Sequence, residues 1–143
     1  MKMTTSTVST KNLGNFTTTV TLTNTEDEIL AEHGNMPREQ IRSASIDNVK
    51  VSTHTYHLYL PADIIARLGL PLEEEIEVET ATGIETVRIF QSATLALQGR
   101  ETQSRCIELP EGESAIVGLI PLEKLRLKFD VENQQLVEVL ARI

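Results

Sequence analysis

The chain has 143 residues, of which 40% are hydrophobic and 24% charged, and these proportions are typical of one globular domain. The formal net charge of -8 argues against a nucleic-acid partner, which needs a basic face. No run approaches the ~18 apolar residues of a membrane span, no apolar signal segment opens the sequence, and a single cysteine excludes an internal disulfide. We therefore expect a cytoplasmic protein without membrane association and without a cofactor.

The first 15 residues are rich in Thr and Ser and contain few large apolar side chains. Such a segment buries too little surface to offset its ordering, so we expect a flexible tail and a folded domain over residues 16–143. The run Thr17–Thr23 is β-branched, with Val20 and Leu22 on one face. This pattern predicts a half-exposed strand.

Residues 24–38 are polar and acidic and contain Gly34 and Pro37, which is typical of a loop or hairpin connection. Two further strands are predicted over residues 40–49 and 51–60, because β-branched and other apolar side chains recur at intervals there.

The segment Pro61–Gly69 carries the signals of a short helix. Proline suits the first turn, where its missing N–H has no partner in any case. Ile64, Ile65 and Leu68 form an apolar stripe, and Gly69 is suited to a left-handed stop. We therefore predict one helix here.

Alternation of apolar and acidic residues over Glu75–Glu79, then a return over Ile84–Phe90, predicts a hairpin with its turn at Ala81–Gly83. Residues 121–125 are expected to form a short helical turn. Further short strands are predicted over residues 93–97, 102–109, 115–120, 127–131 and 135–140. Closely spaced short strands indicate a closed or sandwiched all-β fold.

Two segments carry a family resemblance: Val51-Ser-Thr-His-Thr-Tyr-His-Leu-Tyr-Leu-Pro61 and Ile64-Ile-Ala-Arg-Leu-Gly-Leu70. They resemble the retropepsin-like (clan AA) aspartic proteases, in particular the small bacterial single-domain type. In that family a strand ends in an Asp-Thr-Gly-Ala turn, and a Leu-Pro step and a helix ending in Leu-Gly-Leu follow. The resemblance implies a retropepsin-like acid-protease barrel with one short helix after the catalytic turn.

The resemblance extends to two later segments. Ala115–Leu122, with Val117 and Gly118, is similar to the family's second signature, which lies on a strand beneath the catalytic turn. The hairpin takes the place of the family's flap. The resemblance therefore implies a ligand cleft beneath the tip of this hairpin, bordered by Thr80, Ala81, Thr82 and Gly83.

The catalytic turn is degenerate. Counting back from Leu60-Pro61, the family's aspartate, threonine and glycine fall on Ser52, Thr53 and His54. An aspartic protease needs two carboxylates that share a proton, one acting as base and the other as acid, and a serine hydroxyl does not ionise near neutral pH. The resemblance therefore implies a pseudoprotease without a catalytic residue or metal. It would be a homodimer with Thr53 at the interface, and it would bind a peptide or protein partner.

Four alternatives stay open. Asp47, or an unrecognised site, would make the chain an active aspartic-type endopeptidase. Ser52 with His54 or His57 would be a nucleophile and base. His54, His57 and Cys106 have side chains of the kind that bind zinc. The acidic run that begins at Glu73 is a solvated face or binds a basic partner.

Overall fold

A computed structural model of the chain describes residues 16–140. The predicted tail, residues 1–15, lies outside the described residues. Within the described part, strands dominate and the all-β prediction is confirmed. Of its three α-helices, one was predicted as a helix, one lies at the predicted helical turn and one was not predicted. The elements are β1 Thr17–Asn24, α1 Thr25–Glu32, a 3-10 turn Arg38–Gln40, β2 Ser43–Val51, β3 Leu58–Pro61, α2 Ala62–Leu68, β4 Leu72–Thr80, β5 Gly83–Leu97, β6 Arg100–Leu109, β7 Ile116–Val117, α3 Leu119–Lys124, β8 Leu127–Asp130 and β9 Gln135–Glu138.

Seven strands form one sheet in the order β1-β2-β7-β3-β6-β5-β4. β1 also pairs with β5, so the sheet closes on itself and β4 is left outside the ring. From Gly83 to Arg88, β5 pairs with β4 and with no other described strand, so this part of the hairpin projects from the ring as a two-stranded ribbon. β8 and β9 form a separate pair, as the predicted last hairpin requires.

The core lies among the strands of the closed sheet and the helices packed against it. It is almost wholly aliphatic, because alternate residues of each strand face inward. Each such side chain contributes roughly 1.5–3 kcal/mol when it is removed from water. The most deeply buried large side chains include Val20, Leu22, Val49, Leu58, Leu60, Leu68, Leu95, Val117, Leu122 and Leu125.

Helix α2 forms where it was predicted, because its local signals agree. Its apolar stripe, Ile64, Ile65 and Leu68, is buried against the core. Gly69 ends the helix in the left-handed conformation with a φ of 65°. The guanidinium of Arg42 lies over Gly69, in the space that a Cβ would take. The left-handed backbone therefore favours glycine here, whereas the half-exposed Arg42 side chain could move aside.

The prediction of a loop over residues 24–38 is wrong, because Thr25–Glu32 forms helix α1. The side-chain oxygen of Asn24 caps the helix by accepting a hydrogen bond from the backbone N–H of Asp27 at 3.0 Å. The helix carries no apolar stripe, and its buried residues are two polar side chains and Ala31. Sequence periodicity therefore did not reveal it, although an Asn followed by an acidic first turn is a helix-start signal.

Asp27 joins α1 to the residue that precedes β2, Arg42. Its carboxylate accepts hydrogen bonds from the backbone N–H of Arg42 (3.0 Å), from Nε (2.9 Å) and from Nη2 (3.0 Å). The side-chain hydrogen bonds from Arg42 hold the pKa of Asp27 below its ordinary value. This pair replaces the apolar contacts that α1 lacks.

Three strand predictions need correction. The strand predicted over residues 115–120 is only β7, Ile116–Val117, because Leu119 and Ile120 begin helix α3. The strand predicted over residues 51–60 is interrupted: β2 ends at Val51, β3 begins at Leu58, and residues 52–57 form a loop. The separate strand predicted over residues 93–97 is the second half of β5, which runs on past a register shift between Phe90 and Ala93. No helix within residues 16–140 is long and apolar enough to cross a membrane.

Candidate functional site

The loop of residues 52–57, called the site loop below, is held by strand β7. β7 lies between β2 and β3, parallel to β2 and antiparallel to β3. The N–H of Ser52 donates to the carbonyl of Val117 at 3.1 Å, which anchors the start of the site loop. Three backbone N–H groups at the start of α3 then donate to the loop carbonyls of Thr55, Tyr56 and His57, each at 2.9 Å.

Gly118 makes this close packing possible. A Cβ at this residue would lie 2.7 Å from the backbone N and O of His57 and from the carbonyl carbon of Tyr56. Real Cβ atoms do not approach backbone so closely, so the packing of the site loop on residue 118 requires a glycine there. Gly118 has a φ of -92°, so the requirement is steric and not conformational.

The site loop presents hydroxyl, imidazole and phenol groups and no carboxylate. The Oγ of Ser52 accepts a hydrogen bond from the backbone N–H of His54 at 3.1 Å. Neither imidazole of the loop is hydrogen bonded to this hydroxyl, so the described geometry does not form a serine–histidine pair. Thr53 is partly exposed. The Oγ1 of Thr55 is buried without a hydrogen-bond partner among the described residues.

Asp47 does not join the site loop. It lies on β2, is exposed, and accepts a hydrogen bond from the hydroxyl of Thr19 at 2.9 Å. The neighbouring Asn48 has a φ of 60°, next to a register shift between β1 and β2. The shift accommodates one extra residue in β2. The side chain of Asp47 is exposed at this point of the strand.

The hairpin of β4 and β5 forms as predicted, with Ala81 and Thr82 at its turn. Thr80 fixes the tip, because its hydroxyl donates to the carbonyl of Gly83 (2.8 Å) and lies 3.1 Å from the carboxylate of Glu85. The tip is exposed throughout. None of the four tip residues, Thr80, Ala81, Thr82 and Gly83, lines the groove described next.

A groove of about 730 Å³ lies along the inner face of this hairpin. Its walls come from the hairpin, from β3, from β6 and from the start of α3, and each of them contributes apolar side chains. The apolar residues are Tyr59, Ile76, Val78, Val87, Ile89, Ile107 and Ile120. The sequence placed the hairpin residues of this set on one face, but not Tyr59, Ile107 and Ile120, which strand pairing brings in from distant segments.

One half of the groove is apolar and the other polar, because the residues of β6 that line it change from Ile107 to Arg105 and Gln103. Ile107 pairs with Ile89 and with Tyr59 in the apolar half, whereas Arg105 and Gln103 follow at alternate positions in the polar half. Arg105 donates to Glu73 at 2.6 Å and to Glu74 at 3.3 Å, and these hydrogen bonds raise its pKa. His57 also lines the groove, so the site loop borders it directly.

The side chains considered for a zinc site do not converge in the described structure. Within residues 16–140, no group of three His, Cys, Asp or Glu side chains is placed to hold a metal ion. Cys106 is fully buried on β6, and burial raises the pKa of its thiol to about 12. A thiol in this environment is neither a thiolate ligand nor a nucleophile near neutral pH.

The chain matches solved structures but neither a protein-family model nor a curated protein. Among solved structures, the chain is similar to the EIAV protease complexed with the inhibitor HBY-793. The match covers 76% of this chain and 86% of that chain, with 15% sequence identity and a TM-score of 0.46.

Proposed function

We propose that this protein is a catalytically inactive member of the aspartic-protease-like group, which binds an extended polypeptide segment in the groove under the β4–β5 hairpin. The observation that carries the proposal is a site loop without a carboxylate at the border of an open apolar groove. Binding needs only the groove, whereas hydrolysis also needs an acid and a base. The same fold would then serve recognition in place of catalysis.

The missing carboxylate is decisive for the chemistry. The acid and base roles each contribute a factor of about 100 to 10,000 to the rate. Ser52 supplies neither role, because an alcohol stays protonated near neutral pH. In a homodimer the same serine would stand at both positions of the dyad, so both roles would be lost together.

Extended peptides suit this groove because the hairpin offers main-chain hydrogen-bonding groups beside side-chain pockets. Main-chain pairing supplies affinity, and alternate side chains of the ligand enter the apolar lining. Ile76 is 40% exposed, so the groove has apolar surface available for such contacts.

We also propose that the protein acts as a homodimer in the cytoplasm. Tyr56 of the site loop (60% exposed) and Ile120 (43% exposed) are joined by a backbone hydrogen bond and are both exposed apolar side chains. Burial of this surface and of Thr53 against a second copy would complete a shared site. A single buried cysteine suits a reducing compartment. Sedimentation that shows only monomer at high concentration would contradict the dimer.

The test compares three proteins: the natural chain, Ser52→Asp with His54→Gly, and Ser52→Asn with His54→Gly as the uncharged control. Each is incubated with a peptide library between pH 4 and pH 7, and both binding and cleavage are measured. We expect the natural chain to bind without cleaving, and cleavage to appear only with the carboxylate. Cleavage by the natural chain would contradict the proposal, and its loss in Asp47→Asn would identify the alternative acid.

A further inference from the structure

Strand β4 has two chemically different faces. Residues 74, 76 and 78 line the groove, and Ile76 and Val78 are its apolar members there. The intervening residues Glu75, Glu77 and Glu79 point to the opposite face, because side chains alternate along a strand. All three glutamates are exposed. In its tip half, β4 therefore presents Ile76 and Val78 on one face and carboxylates on the other, and Glu74 lines the groove nearer its base.

The carboxylates near the tip are not neutralised. Glu75 lies 3.7 Å from Arg88, and Arg105 binds Glu73 and Glu74 at the base of the hairpin. Glu77 and Glu79 have no Lys, Arg or His nitrogen within 4.0 Å among residues 16–140. This half of β4 therefore carries two unpaired negative charges on a protein whose net charge is already -8.

The outer edge of β4 is open. β4 stands at the end of the strand order and pairs only with β5. An exposed strand edge is a template for another strand, and charged side chains restrict which strands can use it. A second copy of β4 would place glutamates opposite glutamates, and like charges that face each other across strands are destabilising. The charge pattern thus disfavours this chain's own β4 as the occupant.

We propose that the ligand of the groove is a strand-forming segment in which aliphatic and basic side chains alternate, and that it pairs with the open edge of β4. Its aliphatic residues continue the row of Ile76 and Val78 in the groove, and its Lys or Arg residues lie beside Glu77 and Glu79. The inference rests on the proposed function and specifies the ligand chemistry of the same site. With about 3.3 Å per residue, the part of β4 from Glu75 to Thr80 accommodates roughly five or six residues of ligand.

The experiment measures the affinity of four labelled heptapeptides by fluorescence anisotropy. Three of them alternate Val with Lys, with Gln or with Glu, and the fourth has the composition of the Lys peptide with its lysines grouped. The variants are Glu77→Gln with Glu79→Gln and, as the control, Glu111→Gln with Glu113→Gln. The control changes the net charge equally at exposed positions in the turn between β6 and β7.

We expect the alternating Lys peptide to bind most tightly and the Glu peptide most weakly. Two cross-strand charge pairs correspond to about a 2- to 30-fold loss of affinity for the Lys peptide in Glu77→Gln/Glu79→Gln. The Gln peptide and the control variant are expected to be unaffected. Equal affinity for the Lys and Gln peptides, an equal loss in the control variant, or equal binding of the grouped peptide would overturn the inference. Failure of all four peptides to bind would instead overturn the proposed function.

Discussion

A single methyl group at Gly118 tests whether the site loop depends on close backbone packing. Alanine has no difficulty with a φ of -92°, so the substitution Gly118→Ala introduces no backbone strain. Its Cβ would nevertheless stand 2.7 Å from three backbone atoms of Tyr56 and His57. Those atoms cannot retreat freely, because three hydrogen bonds of 2.9 Å join the same two segments.

The expected cost combines two effects. Insertion of a methyl group into a well-packed site costs about 1–3 kcal/mol. Lengthening of the three hydrogen bonds removes part of the roughly 0.5–1.5 kcal/mol that each contributes. We therefore expect a loss of about 3 kcal/mol in the free energy of unfolding. For an m-value of about 2 kcal/mol/M in urea, the unfolding midpoint falls by about 1.5 M.

The assay is urea unfolding followed by circular dichroism, with Gly34→Ala as the control. Gly34 has a φ of +77° but nothing within 4 Å of an added Cβ, so it isolates the backbone effect. That effect is about 1–2 kcal/mol. If Gly118→Ala is no more destabilising than Gly34→Ala, the packing argument for the site loop is wrong.

Two further predictions concern buried groups outside the groove. Asp27→Asn should lower the free energy of unfolding by about 2 kcal/mol at pH 7, near the lower end for charge-assisted hydrogen bonds because Arg42 is half exposed. The folded-state pKa of Asp27 is depressed, so its contribution is complete above the unfolded-state pKa and is lost as the pH falls through the lower folded-state value. Urea unfolding should therefore show the difference between the two proteins shrinking below about pH 4, and a difference that grows in acid would contradict the assignment. Cys106 should react with iodoacetamide at pH 8 at least about a hundredfold more slowly in the folded protein than in guanidinium, and equal rates would show that the thiol is not buried.

Elements with strong local signals could be predicted from the sequence. Helix α2 has its proline, apolar stripe and terminal glycine within one short segment, and the hairpin has alternation on both sides of a turn. Helix α1 lacks such periodicity, because its buried polar side chain, Asp27, is held by Arg42 from a distant segment. The contacts that stabilise α1 are not local, so a local pattern could not reveal them.

The same distinction applies to the candidate site. The spacing from Leu60-Pro61 drew attention to Ser52 and His54, and both residues lie in the site loop. The break between β2 and β3 could not be predicted from the local sequence. It depends on β7, which pairs with both strands and lies more than fifty residues away along the chain. The far wall of the groove was missed for the same reason, since Ile107 reaches it only through the pairing of β6 with β3 and β5.

The position of β7 between β2 and β3 also governs when the site can exist during synthesis. Residues 43–61 leave the ribosome long before residues 118–120, which supply the three backbone N–H groups that donate to the site loop from outside it among residues 16–140. A nascent chain that ends within β6 has the hairpin but not the hydrogen bonds that shape residues 52–57. The site loop therefore reaches its final shape in one late step, only after β7 and the start of α3 have emerged.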